Sequence, residues 1–119
     1  MRRVLVADDN LPSREILREV LEMSGYEVVE ASDGEEAVQK AQRNKPDLML
    51  LDIQMPRLDG FGVLKALRAD PQLASLPVLA LTAFAMQGDR ERAMDAGFDG
   101  YITKPLDLTL LRQELRRFL

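Results

Sequence analysis

The sequence predicts an α/β domain in which five βα units form a doubly wound parallel sheet. Three observations support this fold class: the chain carries five short apolar runs, the runs start about 20 to 30 residues apart, and a helical pattern follows each run. Continuous apolar blocks are typical of strands that helices cover on both faces. Alternating strands and helices favour right-handed crossovers and a doubly wound sheet. The predicted strands are residues 4–7, 26–31, 48–51, 78–81 and 101–102.

The first two gaps between strands each contain a helix with recognisable ends. Pro12 suits the first turn of the first helix, and Gly25 suits its end. Asp33 and Glu36 have the spacing of a capping box at the start of the second helix, which Pro46 closes. The stripe expected to face the core in the first helix comprises Ile16, Leu17, Val20 and Leu21.

The last three helices are predicted from the same kinds of signal. The third covers residues 60–69 and ends at Asp70, which precedes a proline. The fourth is a mostly polar helix over residues 87–96 that Gly97 stops, and Asp107 caps the fifth. The core stripe expected in the fifth helix comprises Leu108, Leu111, Leu115 and Phe118.

The composition of the 119 residues excludes several classes of function. The chain has no Cys and no His, which excludes disulfides, Cys or His metal sites and a serine-histidine-aspartate triad. The formal net charge is −4, from 16 basic and 20 acidic residues, so we expect no direct binding to nucleic acid. Glycine-rich nucleotide-binding motifs are absent from the sequence, which argues against a nucleotide-binding domain.

The sequence contains no segment that we expect to enter a membrane. The first apolar run is too short for the hydrophobic region of a secretory signal. The longest uncharged stretch, residues 71–88, contains two prolines and several polar side chains, so it does not suit a membrane span. We therefore expect a cytoplasmic protein.

Polar side chains gather where the predicted strands end. Asp8 and Asp9 follow the first strand, Asp52 follows the third, Thr82 the fourth and Lys104 the fifth. In open α/β sheets, ligands bind beyond the carboxyl ends of the strands, at the point where the strand order reverses. The sequence therefore predicts a functional site that combines three carboxylates, a hydroxyl and an ammonium.

This set of side chains suits phosphoryl transfer with a magnesium ion. Carboxylates without His or Cys are the ligands of hard cations, and Mg²⁺ takes one or two of them while it keeps sites for water and phosphate oxygens. Lys104 offers a positive charge for a phosphate oxygen. A carboxylate can also be the group that accepts the phosphoryl group.

Four motifs of the chain resemble those of two-component response-regulator receiver domains, the CheY-like family. They are Val-Ala-Asp-Asp-Asn at 6–10, Leu-Leu-Asp-Ile-Gln-Met-Pro-Arg-Leu-Asp-Gly at 50–60, Leu-Thr-Ala at 81–83 and Tyr-Ile-Thr-Lys-Pro at 101–105. The resemblance covers essentially the whole chain, in order and spacing. It implies a flavodoxin-like fold with strand order 2-1-3-4-5 and one receiver domain over residues 1–119, without an output domain.

The resemblance also implies a role for each side chain of the predicted site. Asp52 would accept a phosphoryl group from a phosphohistidine of a histidine kinase or a histidine phosphotransfer protein. Asp9 and Asp52 would bind Mg²⁺, or Mn²⁺, directly, with the backbone carbonyl of Gln54 as a further ligand and Asp8 acting through water. Lys104 would pair with a phosphoryl oxygen.

A second set of residues would form the switch and shape the loops. In the family, the residue at Thr82 moves toward the phosphoryl group, the aromatic residue at Tyr101 turns inward, and the face of the fourth helix, fifth strand and fifth helix changes its affinity for a downstream protein. Pro56 and Gly60 would shape the loop after the third strand. Pro105 would follow a cis peptide bond that aims Lys104 inward.

Two residues depart from common family patterns. Gln54 stands two residues after the phosphoacceptor, and Phe84 stands two residues after Thr82. Both positions flank the path of the hydrolytic water in the family, so we expect the bulky Phe84 to slow hydrolysis of the phosphoryl group.

Several alternatives remain open from the sequence. The chain could be a stand-alone regulator, a receiver module of a hybrid histidine kinase or multidomain regulator, or a phosphate-independent scaffold. A metal-dependent phosphatase is disfavoured because the Asp-x-Asp-x-Thr pattern of such enzymes is absent after the first strand. We expect a signalling domain, not a multi-substrate enzyme, and a monomer or a dimer that depends on phosphorylation.

Overall fold

The fold is an alternation of strands and helices in a computed structural model that describes residues 2–83 and 88–119. The elements are β1 (Arg3–Ala7), α1 (Leu11–Met23), β2 (Glu27–Ala31), α2 (Gly34–Asn44), β3 (Leu48–Asp52), α3 (Gly60–Ala69), β4 (Val78–Thr82), α4 (Asp89–Ala96), β5 (Gly100–Thr103) and α5 (Leu108–Phe118). The five predicted βα units are therefore confirmed. Residue 87, with which the fourth helix was predicted to begin, lies outside the described residues.

All five strands form one parallel sheet in the order β2-β1-β3-β4-β5. This confirms the predicted doubly wound fold and its strand order. Side chains on one face of the sheet pack with α1 and α5, and those on the other face pack with α2, α3 and α4. All residues of β3 and β4 are consequently buried, which explains their continuous apolar sequences.

Two predicted core positions are wrong. Ile16 is 56% exposed and Leu108 is 38% exposed, whereas Leu17 and Leu21 of α1 are fully buried. Successive helical residues are separated by about 100°, so Ile16 lies well away from the line through Leu17 and Leu21 that faces the sheet. The apolar stripe of α1 is therefore narrower than its sequence suggested.

The start of α2 differs in one detail from the predicted capping box. Asp33 is the N-cap, and its carboxylate accepts from the backbone N–H of Glu36 at 2.8 Å. The Glu36 carboxylate, however, accepts from the backbone N–H of Ser32 at 3.0 Å, one residue before the expected position. The helix start is confirmed, and the reciprocal bond shifts by one residue.

Arg68 joins the two loops that precede β4 and β5. These loops lie at the amino ends of the strands, whereas Asp52 lies at the carboxyl end. Its guanidinium donates to the carboxylate of Asp99 at 3.1 Å, and the same carboxylate oxygen accepts from the backbone N–H of Val78 at 2.8 Å. The backbone carbonyls that accept from Arg68 are those of Leu73, Ala74, Leu76 and Gly97.

Among the described residues, no helix is long and apolar enough to cross a membrane.

Candidate functional site

Strand register brings the predicted acidic residues together at the carboxyl edge of the sheet. Ala7 of β1 pairs with Leu51 of β3, so Asp8 and Asp52, the residues that follow them, become neighbours. Asp8 has no exposed surface and Asp52 is 5% exposed, whereas Asp9 is exposed. Two carboxylates are therefore buried side by side, and the third faces solvent.

The Lys104 ammonium lies between the two buried carboxylates. Its Nζ donates to Asp8 Oδ2 at 2.7 Å and to Asp52 Oδ2 at 3.0 Å. The Lys104–Pro105 peptide bond is cis, as the resemblance implied, and the Lys104 backbone N–H donates to the carbonyl of Thr82 at 2.7 Å. The end of β5 is thus held against the end of β4, with the lysine side chain directed along the sheet edge.

The second oxygen of each buried carboxylate is held by a backbone N–H. Asp8 Oδ1 accepts from Asn10 and Asp52 Oδ1 accepts from Gln54, both at 2.9 Å. Each bond spans two residues, the geometry in which aspartate stabilises a turn. Each carboxylate is therefore fixed by the ammonium on one oxygen and by a turn on the other.

The site offers a suitable oxygen environment for a divalent cation. Asp8, Asp9 and Asp52 each present a carboxylate oxygen, and these oxygens lie within 4.8 Å of one another. Three carboxylates against one ammonium leave an excess of negative charge, which a cation would compensate. Asp9, Asp52, Gln54 and Lys104 also line an open cavity of about 360 Å³, which has room for a phosphoryl group.

Burial controls the protonation of the site. Loss of solvation raises the pKa of Asp52 to about 6, and the nearby Asp8 carboxylate adds to this rise. The bonds from Lys104 and from the Gln54 backbone N–H oppose the rise in pKa. For Lys104, burial lowers the pKa, but the bonds to Asp8 and Asp52 more than offset it, so the pKa stands above its usual value. Asp52 is therefore mostly ionised at neutral pH and faces a charged ammonium.

The residues expected to form the switch lie beside this site, around a second cavity. Thr82 is 1% exposed, and its hydroxyl donates to the side-chain oxygen of Gln54 at 3.1 Å. Tyr101 is partly buried, and its hydroxyl oxygen has no hydrogen-bond partner among the described residues. Burial of Tyr101 raises its pKa, with a further contribution from Asp89. The cavity, of about 70 Å³, is lined by Ile53, Gln54, Phe61, Thr82, Asp89, Arg92 and Tyr101.

The loop after β3 depends on a close approach at Gly60. A side-chain Cβ at this position would lie 2.7 Å from the Cα of Ile53 and 3.0 Å from the backbone oxygen of Asp52. Pro56 lies in the same loop, and its carbonyl accepts from the N–H of Leu58 at 2.8 Å. Phe84, for which we predicted an effect on hydrolysis, lies outside the described residues.

Among the residues that line the smaller cavity and that sequence reasoning did not place in the site are Phe61 and Arg92. Phe61 of α3 and Arg92 of α4 contact each other, with the guanidinium carbon 4.9 Å from the ring centre. Neither residue belongs to a motif, and the helical pattern around Phe61 indicates only a core position. Their meeting depends on the packing of two helices that are distant in sequence.

Comparison with known proteins decides the family. The response regulator receiver domain family matches residues 4–116. The chain belongs to this family. Magnesium binding and phosphorylation are typical of its members.

Curated relatives and solved structures agree with this assignment over nearly the whole receiver domain. The polar-differentiation response regulator DivK of Brucella anthropi is 38% identical over 99% of this chain and 96% of its own. The chemotaxis protein CheY4 of Vibrio cholerae superposes with a TM-score of 0.92 at 34% identity, covering 100% of this chain and 99% of CheY4. The receiver domain of a sensor histidine kinase from Pseudomonas aeruginosa, with a magnesium ion in its active-site cleft, gives a TM-score of 0.90 at 35% identity and 98% and 96% coverage.

Proposed function

We propose that this receiver domain is a phosphorylation-activated switch of a two-component phosphorelay. Asp52 is the acceptor, and the donor is a phosphohistidine of a histidine kinase or a histidine phosphotransfer protein. The observation that carries the proposal is the position of Lys104, whose ammonium contacts both buried carboxylates beside the exposed Asp9. A nucleophilic carboxylate, a cation for the phosphoryl oxygens and a set of metal ligands are thereby combined in one cleft.

In the proposed reaction, an oxygen of Asp52 attacks phosphorus as the bond from phosphorus to the histidine nitrogen breaks. The product is an acyl phosphate on Asp52, and the electron pair leaves with the imidazole. With a pKa of about 6, Asp52 is ionised for attack at neutral pH. Lys104 can transfer its contact from Asp52 Oδ2 to a phosphoryl oxygen while its bond to Asp8 is retained.

The donor set for the metal fits the same mechanism. Asp9 and Asp52 would bind Mg²⁺ or Mn²⁺ directly, the backbone carbonyl of Gln54 would add a ligand, and Asp8 would act through water. The bound cation would neutralise charge on the phosphoryl oxygens. The exposure of Asp9 leaves one side of the site open to water and to the donor.

The output of the proposed switch follows from the residues beside the acceptor. A phosphoryl group carries a charge of about −1.5 to −2, so it attracts the Thr82 hydroxyl. Tyr101 lines the same cavity as Thr82, and its hydroxyl is already buried there without a partner among the described residues, so Tyr101 is the side chain that would respond when Thr82 moves. The α4–β5–α5 face would then change its affinity for a downstream protein, as a monomer or as a phosphorylation-dependent dimer.

We further propose that residues 1–119 act as one receiver unit in the cytoplasm. The unit would promote its own phosphoryl transfer and its own dephosphorylation and would turn over no other substrate. It would bind no nucleic acid directly, in keeping with its net charge of −4.

Incubation with acetyl phosphate and Mg²⁺, followed by intact-mass spectrometry, tests the proposal. We expect one phosphoryl adduct on the wild type, none on Asp52→Asn and none with EDTA. Asp95→Asn, which removes an exposed carboxylate from α4, is the matched control and should keep the adduct. An adduct that persists in Asp52→Asn would contradict the assignment of the acceptor. A wild type that forms no adduct and binds no beryllofluoride with Mg²⁺ would contradict the switch itself.

A further inference from the structure

Gln54 contacts both the phosphoacceptor and the switch residue. Its backbone N–H donates to Asp52 Oδ1 at 2.9 Å, and its side-chain oxygen accepts from the Thr82 hydroxyl at 3.1 Å. The backbone bond belongs to the turn after β3 and would form with any residue that has an N–H. The side-chain bond requires an acceptor at the end of a side chain of this length.

The bond to Gln54 occupies the proton that the proposed switch needs. A hydroxyl has one proton to donate. While Thr82 donates to Gln54, it cannot also donate to a phosphoryl oxygen on Asp52. We propose that Gln54 is a positioning residue whose side chain holds Thr82 in its resting state. The bond thereby lowers the affinity of the site for a phosphoryl group, because Thr82 must leave Gln54 before it can bind a phosphoryl oxygen. This inference rests on the proposed function of Asp52 and Thr82.

Burial and exposure explain why this bond can hold Thr82 and still be released. Thr82 is 1% exposed, so its hydroxyl is shielded from most solvent and needs a protein partner. Gln54 is exposed, so its amide can exchange the hydroxyl for water when Thr82 moves. The phosphoryl group offers Thr82 a charge-assisted bond, which is roughly twice as strong as the neutral bond that it replaces.

The proposal predicts a definite sign for the loss of the side-chain bond. A ligand shifts a two-state equilibrium only by its differential affinity for the two states, and any contact made only in the resting state opposes that shift. Removing the contact should therefore strengthen binding of a phosphoryl analogue. A neutral hydrogen bond to an exposed partner is worth about a 2- to 5-fold change in affinity.

The test is a titration of the full chain with beryllofluoride at saturating Mg²⁺. Binding is monitored through the NMR signal of the Thr82 backbone amide. Gln54→Met keeps the backbone N–H and the length of the side chain but removes the acceptor. We expect Gln54→Met to bind beryllofluoride about 2- to 5-fold more tightly than the wild type. Without beryllofluoride, its Thr82 signal should already lie part of the way toward the bound position. Gln42→Met, on the exposed surface of α2, is the matched control and should behave as the wild type.

A double-mutant cycle separates this role from a structural one. In a Thr82→Val background the hydroxyl is absent, so Gln54→Met should no longer change the affinity. Unchanged or weaker binding by Gln54→Met, or the same gain in the Thr82→Val background, would overturn the inference while the proposed function stands. A wild type that binds no beryllofluoride would overturn both.

Discussion

The Lys104 ammonium lies 2.7 Å from a carboxylate oxygen of Asp8, a residue with no exposed surface. The same nitrogen lies 3.0 Å from Asp52, which is 5% exposed. A buried ion pair adds little stability compared with an apolar pair, but removal of one partner leaves an uncompensated charge and is costly. One lysine therefore compensates two buried carboxylates, and the fold as well as the proposed chemistry depends on it.

Lys104→Met is expected to lower the free energy of unfolding by about 3 kcal/mol at pH 7 in EDTA, because two buried carboxylates lose their cation. Mg²⁺ should restore part of this loss, since it supplies positive charge to the same oxygens. Urea unfolding with and without Mg²⁺ measures both effects. Lys65→Met, at an exposed position of α3, should change stability by less than about 0.5 kcal/mol. A Lys104→Met protein as stable as the wild type in EDTA would contradict this account.

The pKa of Asp52 predicts how stability depends on pH. The carboxyl titrates near 3.8 in the unfolded chain and near 6 in the fold, so the folded protein binds the proton more tightly. The stabilising contribution of the protonated form is fully present below pH 3.8 and is lost as pH rises through about 6. A shift of this size corresponds to about 3 kcal/mol.

Asp52→Asn removes this titration, which makes it the variant for comparison. In EDTA, its stability should be close to that of the wild type at pH 4 and higher by about 3 kcal/mol at pH 8. Urea unfolding of both proteins at a series of pH values measures the difference. A difference that stays constant from pH 4 to pH 8 would show that burial does not raise the pKa of Asp52.

The fold was largely predictable because apolar runs and cap residues are local signals. Strands that are buried on both faces have continuous apolar sequences. Asp33 and Asp107 cap their helices, as the sequence indicated. Ile16 was misplaced because periodicity alone does not define the width of the arc that the sheet covers. The meeting of Asp8, Asp9 and Asp52 was predictable because parallel strands end at a common edge.

Contacts that depend on a side-chain rotamer or on the path of a loop were not predictable. The bond from Thr82 to Gln54 depends on the rotamer of an exposed glutamine, which no sequence pattern encodes. The position of Arg68 between two loops likewise depends on the paths of both loops. Such contacts are set by tertiary packing, which local sequence patterns do not determine.

Gly60 and Gly62 provide a matched pair of substitutions in the first turn of α3. Gly60→Ala would place a Cβ against the backbone of Ile53 and Asp52, which cannot move without displacing the acceptor. We expect a loss of about 2 kcal/mol in stability and slower phosphorylation by acetyl phosphate. At Gly62 the nearest atom is the end of the Leu58 side chain, at 2.5 Å, which can rotate away. Gly62→Ala should therefore leave stability and phosphorylation rate nearly unchanged, and equal effects of the two variants would contradict the argument.

Substitutions of Arg68 should change the free energy of unfolding from the end of the sheet that lies opposite to the proposed site. Arg68→Met would leave the Asp99 carboxylate and several loop carbonyls without their donor, at a cost of about 2 to 3 kcal/mol. Arg68→Lys should recover little of this loss, because a single ammonium cannot reproduce the planar fork of donors that reaches both loops.

The rate of phosphorylation should separate this role from one in the site. Where the protein is fully folded, Arg68→Met should accept a phosphoryl group from acetyl phosphate at the wild-type rate, since the hydrogen bonds that Arg68 donates within residues 2–83 and 88–119 go to loops at the amino ends of the strands. Arg112→Met, at an exposed position of α5, should change stability by no more than about 0.5 kcal/mol. A slower phosphorylation of folded Arg68→Met would mean that the two ends of the sheet are coupled. In that case the loop joined by Arg68 to Asp99 would belong to the switch, because β4 runs from Val78 beside that carboxylate to Thr82 in the site.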